Sequence, residues 1–163
     1  TWDTIATKDI QLDSKKIYTL FLLDSLGSPK LLLTEDDLSE PSSADTTKIR
    51  LANLAKTGGN VDVTVQLEDT LSLPQPKPEV TVFTNVPPQT ISDYTRMTVP
   101  TTKGSTSPQM HTIRVYEAGT TNLLAMGVGD LRGPATYTIV VTGVKGTLDY
   151  PLGVNTYLEW LSW

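Results

Sequence analysis

The chain has 163 residues, a formal net charge of -5, an apolar fraction of 38% and few aromatics. That length holds one domain and part of another, and the interspersed charges form no basic stripe, which argues against a nucleic-acid partner. Cysteine is absent and histidine occurs once, so a disulfide framework and a thiolate metal site are excluded and a structural zinc has no ligand set.

From the N-terminus, Lys16-Ile17-Tyr18-Thr19-Leu20-Phe21-Leu22-Leu23 is β-branched, aromatic and aliphatic, and predicts a strand. Glu35, Asp36 and Asp37 follow as an acidic run. Adjacent carboxylates point in different directions, whereas glycoside hydrolysis needs two that face each other across a cleft. With Glu40 they offer hard oxygen ligands, but the spaced calcium loop is missing, and a solvated linker fits better. A short helical turn over Asp36 to Leu38 is the most helix the chain predicts.

Thr47 to Leu54 and Asn60 to Leu67 alternate polar and apolar residues, the mark of strands with one buried face. Between them, Thr57-Gly58-Gly59-Asn60 predicts a hairpin turn, because Gly and Asn accept positive φ at little cost. Pro74, Pro76 and Pro78 predict a stiff connector, and Gly104 to Pro108 an exposed loop. Val80 to Phe83, Thr112 to Tyr116 and Thr136 to Val141 predict further strands. Eleven Gly and eleven Pro fall almost wholly between such runs, as in a sandwich or barrel.

The candidate functional residues are few. His111 opens a strand on the face of Ile113 and Val115, where a structural role outweighs a catalytic one, since no Gly-x-Ser-x-Gly elbow accompanies it. Neither a phosphate loop nor a helix to follow one is present. Trp160 and Trp163, in the apolar C-terminal stretch, have rings that would stack on sugars or contact a protein if exposed, and would be core if the tail packs as a last strand. Tyr94 and Arg96 are further candidate contacts, or an ordinary cross-strand pair. Asp3-Thr4, Asp24-Ser25, Asp45-Thr46 and Asp69-Thr70 match a short pattern similar to bacterial surface O-glycosylation sites.

An internal echo links the two ends. Residues 15–27, with Tyr18-Thr19 ahead of an apolar run, resemble residues 133–145, with Tyr137-Thr138 ahead of another. Thr4 to Leu12 precedes the first and Leu123 to Leu131 the second. The pattern reads as the ends of two related modules, the first lacking its front half.

Lys48-Ile49-Arg50-Leu51-Ala52-Asn53-Leu54, followed by Val61-Asp62-Val63, resembles the opening of the bacterial family called domain of unknown function 4397. His111 to Gly119 is similar to its central strand and turn, and the Tyr-Thr strand ending near Gly143 to its closing motif. The likeness covers about Lys48 to Gly143, and Tyr18 to Pro41 looks like the tail of a preceding copy with a linker. The Pro-rich insert and the Gly58-Gly59 turn depart from the family pattern. The resemblance implies an immunoglobulin-like sandwich, export from the cytoplasm and a lipid anchor outside this sequence, and it carries no catalytic residues.

The expectation is therefore an all-β chain forming an immunoglobulin-like antiparallel β-sandwich. Residues 1–42 would be the C-terminal strands of an upstream repeat plus linker, and residues 43–163 a complete module. The expected role is a non-enzymatic, extracytoplasmic module of the cell envelope or surface, without cofactor, metal or nucleic acid, whose partner is a protein or glycan. Its rivals are a carbohydrate-binding accessory domain using exposed aromatics and an unfamiliar hydrolase built on His111.

Overall fold

The structure is a computed structural model describing residues 4, 6–23, 29–41, 43–68, 77–99 and 109–161, the side chains of residues 160 and 161 excepted. Among the described residues every regular element is a strand, so the all-β expectation holds, and no helix long and apolar enough to cross a membrane is present. The chain divides into two compact units, Thr1–Leu38 and Ser39–Trp163.

The first unit is a hairpin of β1 (Ile17–Leu23) and β2 (Lys30–Asp36), paired antiparallel. Its register sets Tyr18 opposite Glu35, Leu20 opposite Leu33 and Leu22 opposite Leu31. Strand period two therefore gathers Tyr18, Leu20, Leu22, Leu31 and Leu33 on one face. The helical turn expected from Asp36 does not form, because the Leu31–Thr34 run pairs with β1 and carries Asp36 with it. Glu35 accepts the Lys16 ammonium at 2.8 Å and Asp36 the Thr19 hydroxyl at 2.7 Å, so the acidic run is partly spoken for.

The second unit comprises β3 (Thr46–Asn53), β4 (Val61–Leu67), β5 (Val80–Val86), β6 (Thr90–Ile91), β7 (Thr95–Thr98), β8 (Met110–Glu117), β9 (Leu123–Asp130), β10 (Ala135–Thr142) and β11 (Gly153–Leu161). One sheet runs β11-β10-β3-β6, with β7 also on β3, and the other β5-β4-β8-β9. All pairings are antiparallel except β3 with β10, which is parallel. The immunoglobulin-like expectation holds as two packed sheets, but the order differs in detail. Here the second and third strands, β4 and β5, are neighbours in one sheet, whereas the immunoglobulin order divides them between sheets.

Between the sheets lie Ile49 and Leu51 of β3, Val61, Val63 and Val65 of β4, Ile113 and Val115 of β8, and Ile139 and Val141 of β10, all essentially without solvent contact. The predicted turn at Thr57 to Asn60 does contain positive φ, at Gly58 and Gly59. It is not a hairpin turn, however. Both edges of β3 are taken, by β10 and by β6 and β7, so the chain leaves for the other sheet before β4 begins. Pro74, Pro76 and Gly104 to Pro108 lie outside the described residues.

On one flank β9 and β11 come together. A Cβ on Gly127 would sit 2.6 Å from the Val154 carbonyl oxygen, and one on Gly129 2.7 Å from the Thr156 side chain. Only glycine allows this approach, which closes the sandwich along that flank.

Candidate functional site

The residues that carried the family resemblance are those that staple the scaffold. Asn53, fully buried at the end of β3, donates its amide to the Val86 carbonyl at 3.1 Å and accepts the Ala55 N–H at 3.4 Å. Asp62, between two inward valines, accepts the Asn85 N–H at 2.7 Å and the Gly119 N–H at 2.8 Å. Both donors sit at positive φ, where backbone N–H groups turn away from the ladder and need a side-chain acceptor. Tyr137, buried in the core, accepts the Arg132 N–H on its hydroxyl at 3.1 Å.

The densest polar cluster lies on the outer face of the β11-β10-β3 sheet. Inward positions Ile49 and Leu51 alternate with Lys48 and Arg50, which face outward and are nevertheless only 2% and 1% exposed. Arg50 donates from Nε to the Thr138 hydroxyl at 2.8 Å and forms an ion pair with Glu159 at 2.5 Å. Glu159 also accepts the Thr138 hydroxyl, and the Tyr94 hydroxyl at 2.6 Å. The Tyr94 ring lies against both cations, 4.9 Å from the Arg50 guanidinium carbon and 5.3 Å from the Lys48 nitrogen. Lys48 further donates to the Ser39 carbonyl at 3.0 Å.

A bulge interrupts β11 beside this cluster. Along β11 the register steps from Leu158 opposite Tyr137 to Trp160 opposite Thr136, leaving Glu159 as the extra residue. Strand alternation from Tyr157, the partner of Thr138, already sets Glu159 on the outward face where Arg50 lies, and the bulge that follows carries Trp160 to the position opposite Thr136.

The structure thus places Tyr94 in an ion-and-ring cluster that seals two buried cations. Arg96 is exposed on β7, opposite Lys48. Trp160 stands at a register position opposite Thr136, two β10 residues from the Thr138–Tyr157 pair, while Trp163 and Trp2 lie outside the described residues. Sequence reasoning passed over Tyr157, which is 57% exposed on β11. Its apolar neighbours in sequence gave no sign that an edge strand would leave it in solvent.

His111 faces between the sheets at one end of the sandwich, on the side of Ile113 and Val115, and is almost fully buried. It lines a pocket of about 260 Å³ walled by Val65, Leu67, Val80 and Met97, with Lys77 and Thr98 as its other polar side chains. Its Nδ1 lies 2.8 Å from the Gln109 carbonyl, an acceptor only, so Nδ1 holds the proton of the neutral ring. Burial pushes the imidazole below its ordinary pKa, against the Gln109 bond and the charges of Asp130 and Glu68. Asp130 itself is held low. Burial works against this, but bonds from Arg132 and the Gln109 N–H outweigh it. Among the described residues that wall the pocket there is no serine, the hydroxyl that a Ser-His-Asp arrangement requires.

The outer face of the other sheet carries a smaller network. Glu79 accepts the hydroxyls of Thr64 and, at 3.0 Å, of Tyr116, with Arg114 at 3.5 Å. The Thr64 bond above all keeps the Glu79 carboxyl below its usual range. Among the described residues no three of His, Cys, Asp and Glu are grouped as a metal would require. Of the Asp-Ser/Thr pairs, Asp45 accepts the Ser43 hydroxyl just before β3, while Asp24-Ser25 and Asp69-Thr70 lie outside the described residues.

No curated protein matches this chain. Of the stretch from Lys48 to Gly143 that carried the resemblance, the family match takes in residues 48–64, together with all of β1 and β2. Over residues 1–64 the chain matches the family described as Domain of unknown function (DUF4397).

Proposed function

We propose that the chain is a non-enzymatic module of the cell envelope or cell surface, whose role is binding or structural. The observation that supports this most is the use made of its polar side chains. Arg50, Glu159 and Tyr94 are bonded to one another, Asp62 and Asn53 to backbone, and His111 to the Gln109 carbonyl. Each therefore holds the sandwich in shape, and a rigid β scaffold with variable loops suits recognition. Location outside the cytoplasm and a lipid anchor beyond this sequence rest on the family likeness alone.

A glycan is the second partner class to consider, and one observation favours it. Tyr157 lies exposed on the edge strand β11, three residues before Trp160 on the same strand. A flat ring exposed in this way, as Tyr157 is, stacks on the apolar face of a sugar. The test is tryptophan fluorescence titrated with soluble polysaccharides, with Trp160→Phe and Tyr157→Ala as controls. A saturable shift lost in both variants assigns glycan binding to β11. A flat titration across the panel removes the glycan and leaves a protein partner.

A further inference from the structure

The β1–β2 hairpin repeats the β10–β11 hairpin in three-dimensional detail. Tyr18 accepts the N–H of Asp13, five residues upstream, at 3.2 Å, and Tyr137 accepts the N–H of Arg132, five residues upstream, at 3.1 Å. The next residue, Thr19, donates its hydroxyl to Asp36 on the partner strand, and Thr138 donates its own to Glu159 on the partner strand. The echo seen in the sequence is thus also an echo of hydrogen bonds.

What surrounds the two hairpins differs. Ile139 and Leu131 are wholly buried, whereas their counterparts Leu20 and Leu12 are 49% and 56% exposed. Leu22, the counterpart of buried Val141, is 51% exposed. In the second unit this face is covered by the opposite sheet, and the free edge of β10 by the parallel strand β3. Two antiparallel strands alone are marginal in water, and an apolar face of this kind marks a contact surface.

We propose that β1–β2 is the closing hairpin of a second sandwich, completed by another module of this pattern that contributes strands of the β3 to β8 type. A strand like β3 would add in parallel along the open edge of β1. The β10–β3 register fixes its alignment: Thr138 faces Arg50, so Thr19 faces the incoming arginine, which then reaches Asp36 as Arg50 reaches Glu159. A second copy of this chain is the wrong occupant, because its own β3 already has neighbours on both edges.

The test duplicates Ser39–Gly119 directly ahead of Thr1 and follows amide hydrogen exchange in β1. The expected result is a rise of at least hundredfold in protection of the Tyr18–Leu23 amides over the original chain. Replacing the duplicated arginine, Arg50→Met in the added copy only, then lowers that protection. Unchanged protection overturns the proposal. A second measurement stands if the longer chain folds poorly: Leu20→Asp in the original chain leaves its cooperative unfolding transition in place, whereas Ile139→Asp abolishes it. If Leu20→Asp also abolishes it, the face is already covered and the proposal fails. Concentration-dependent dimerisation lost on Leu20→Asp would overturn it too, by making a second copy the occupant.

Discussion

At the scale of single residues, two buried cationic positions explain most of the outer-face chemistry. Arg50 is nearly without solvent contact and Glu159 is the carboxylate bound to it. Removing one partner of such a pair leaves a charge stranded away from water, which costs about 3 kcal/mol or more. Glu159→Ala is therefore expected to lower the unfolding free energy by about 3 kcal/mol in a urea titration. A loss under about 1 kcal/mol would mean that Thr138 and Tyr94 compensate for the carboxylate. His111 gives a pH signature. Its folded pKa is depressed by burial, so the unfolded chain binds the proton more readily. Stability from this group is complete above the unfolded value, about 6.5, and falls as the pH drops below it. Because the chain has one histidine, unfolding free energy measured from pH 7.5 to 5.5 should decline, and the slope should flatten in His111→Phe. An unchanged slope in the variant would show that the ring is as accessible folded as unfolded.

At the scale of strands, β-branched, aromatic and alternating apolar residues made β1, β3, β4, β5, β8 and β10 legible in the sequence, although they do not reveal that β3 and β10 are buried on both faces or that the apolar face of β1 stands in solvent. The weaker strands were not legible, for identifiable reasons. β9 contains Gly127 and Gly129, which lower strand propensity and are present because β11 passes within contact of their backbone. β6 and β7 are two and four residues long and exist only because β3 offers them an edge. The parallel β3–β10 pairing joins residues far apart in the chain, and no local pattern encodes it. The same holds for the candidate site. Arg50 looked like any outward polar position of an alternating strand. The three groups that bury it come from the segment between β6 and β7, from β10 and from a bulge in β11. Tyr94 was singled out by its neighbours in sequence, and its contacts with Lys48 and Arg50 were visible only in the fold.

At the scale of the whole molecule, the described residues form one closed sandwich and one hairpin whose Leu20 and Leu22 stand in solvent. These differ in how much apolar surface protects each backbone hydrogen bond, so they differ in local stability. The most direct measurement is native-state amide hydrogen exchange on the full chain. Amides of β3, β8 and β10 are expected to exchange only through global opening, while those of β1 and β2 exchange at least about a hundredfold faster. Equal protection in β1 and β10 would contradict this, because a hairpin whose Leu20 and Leu22 stand in solvent cannot match the stability of a strand whose Ile139 and Val141 do not.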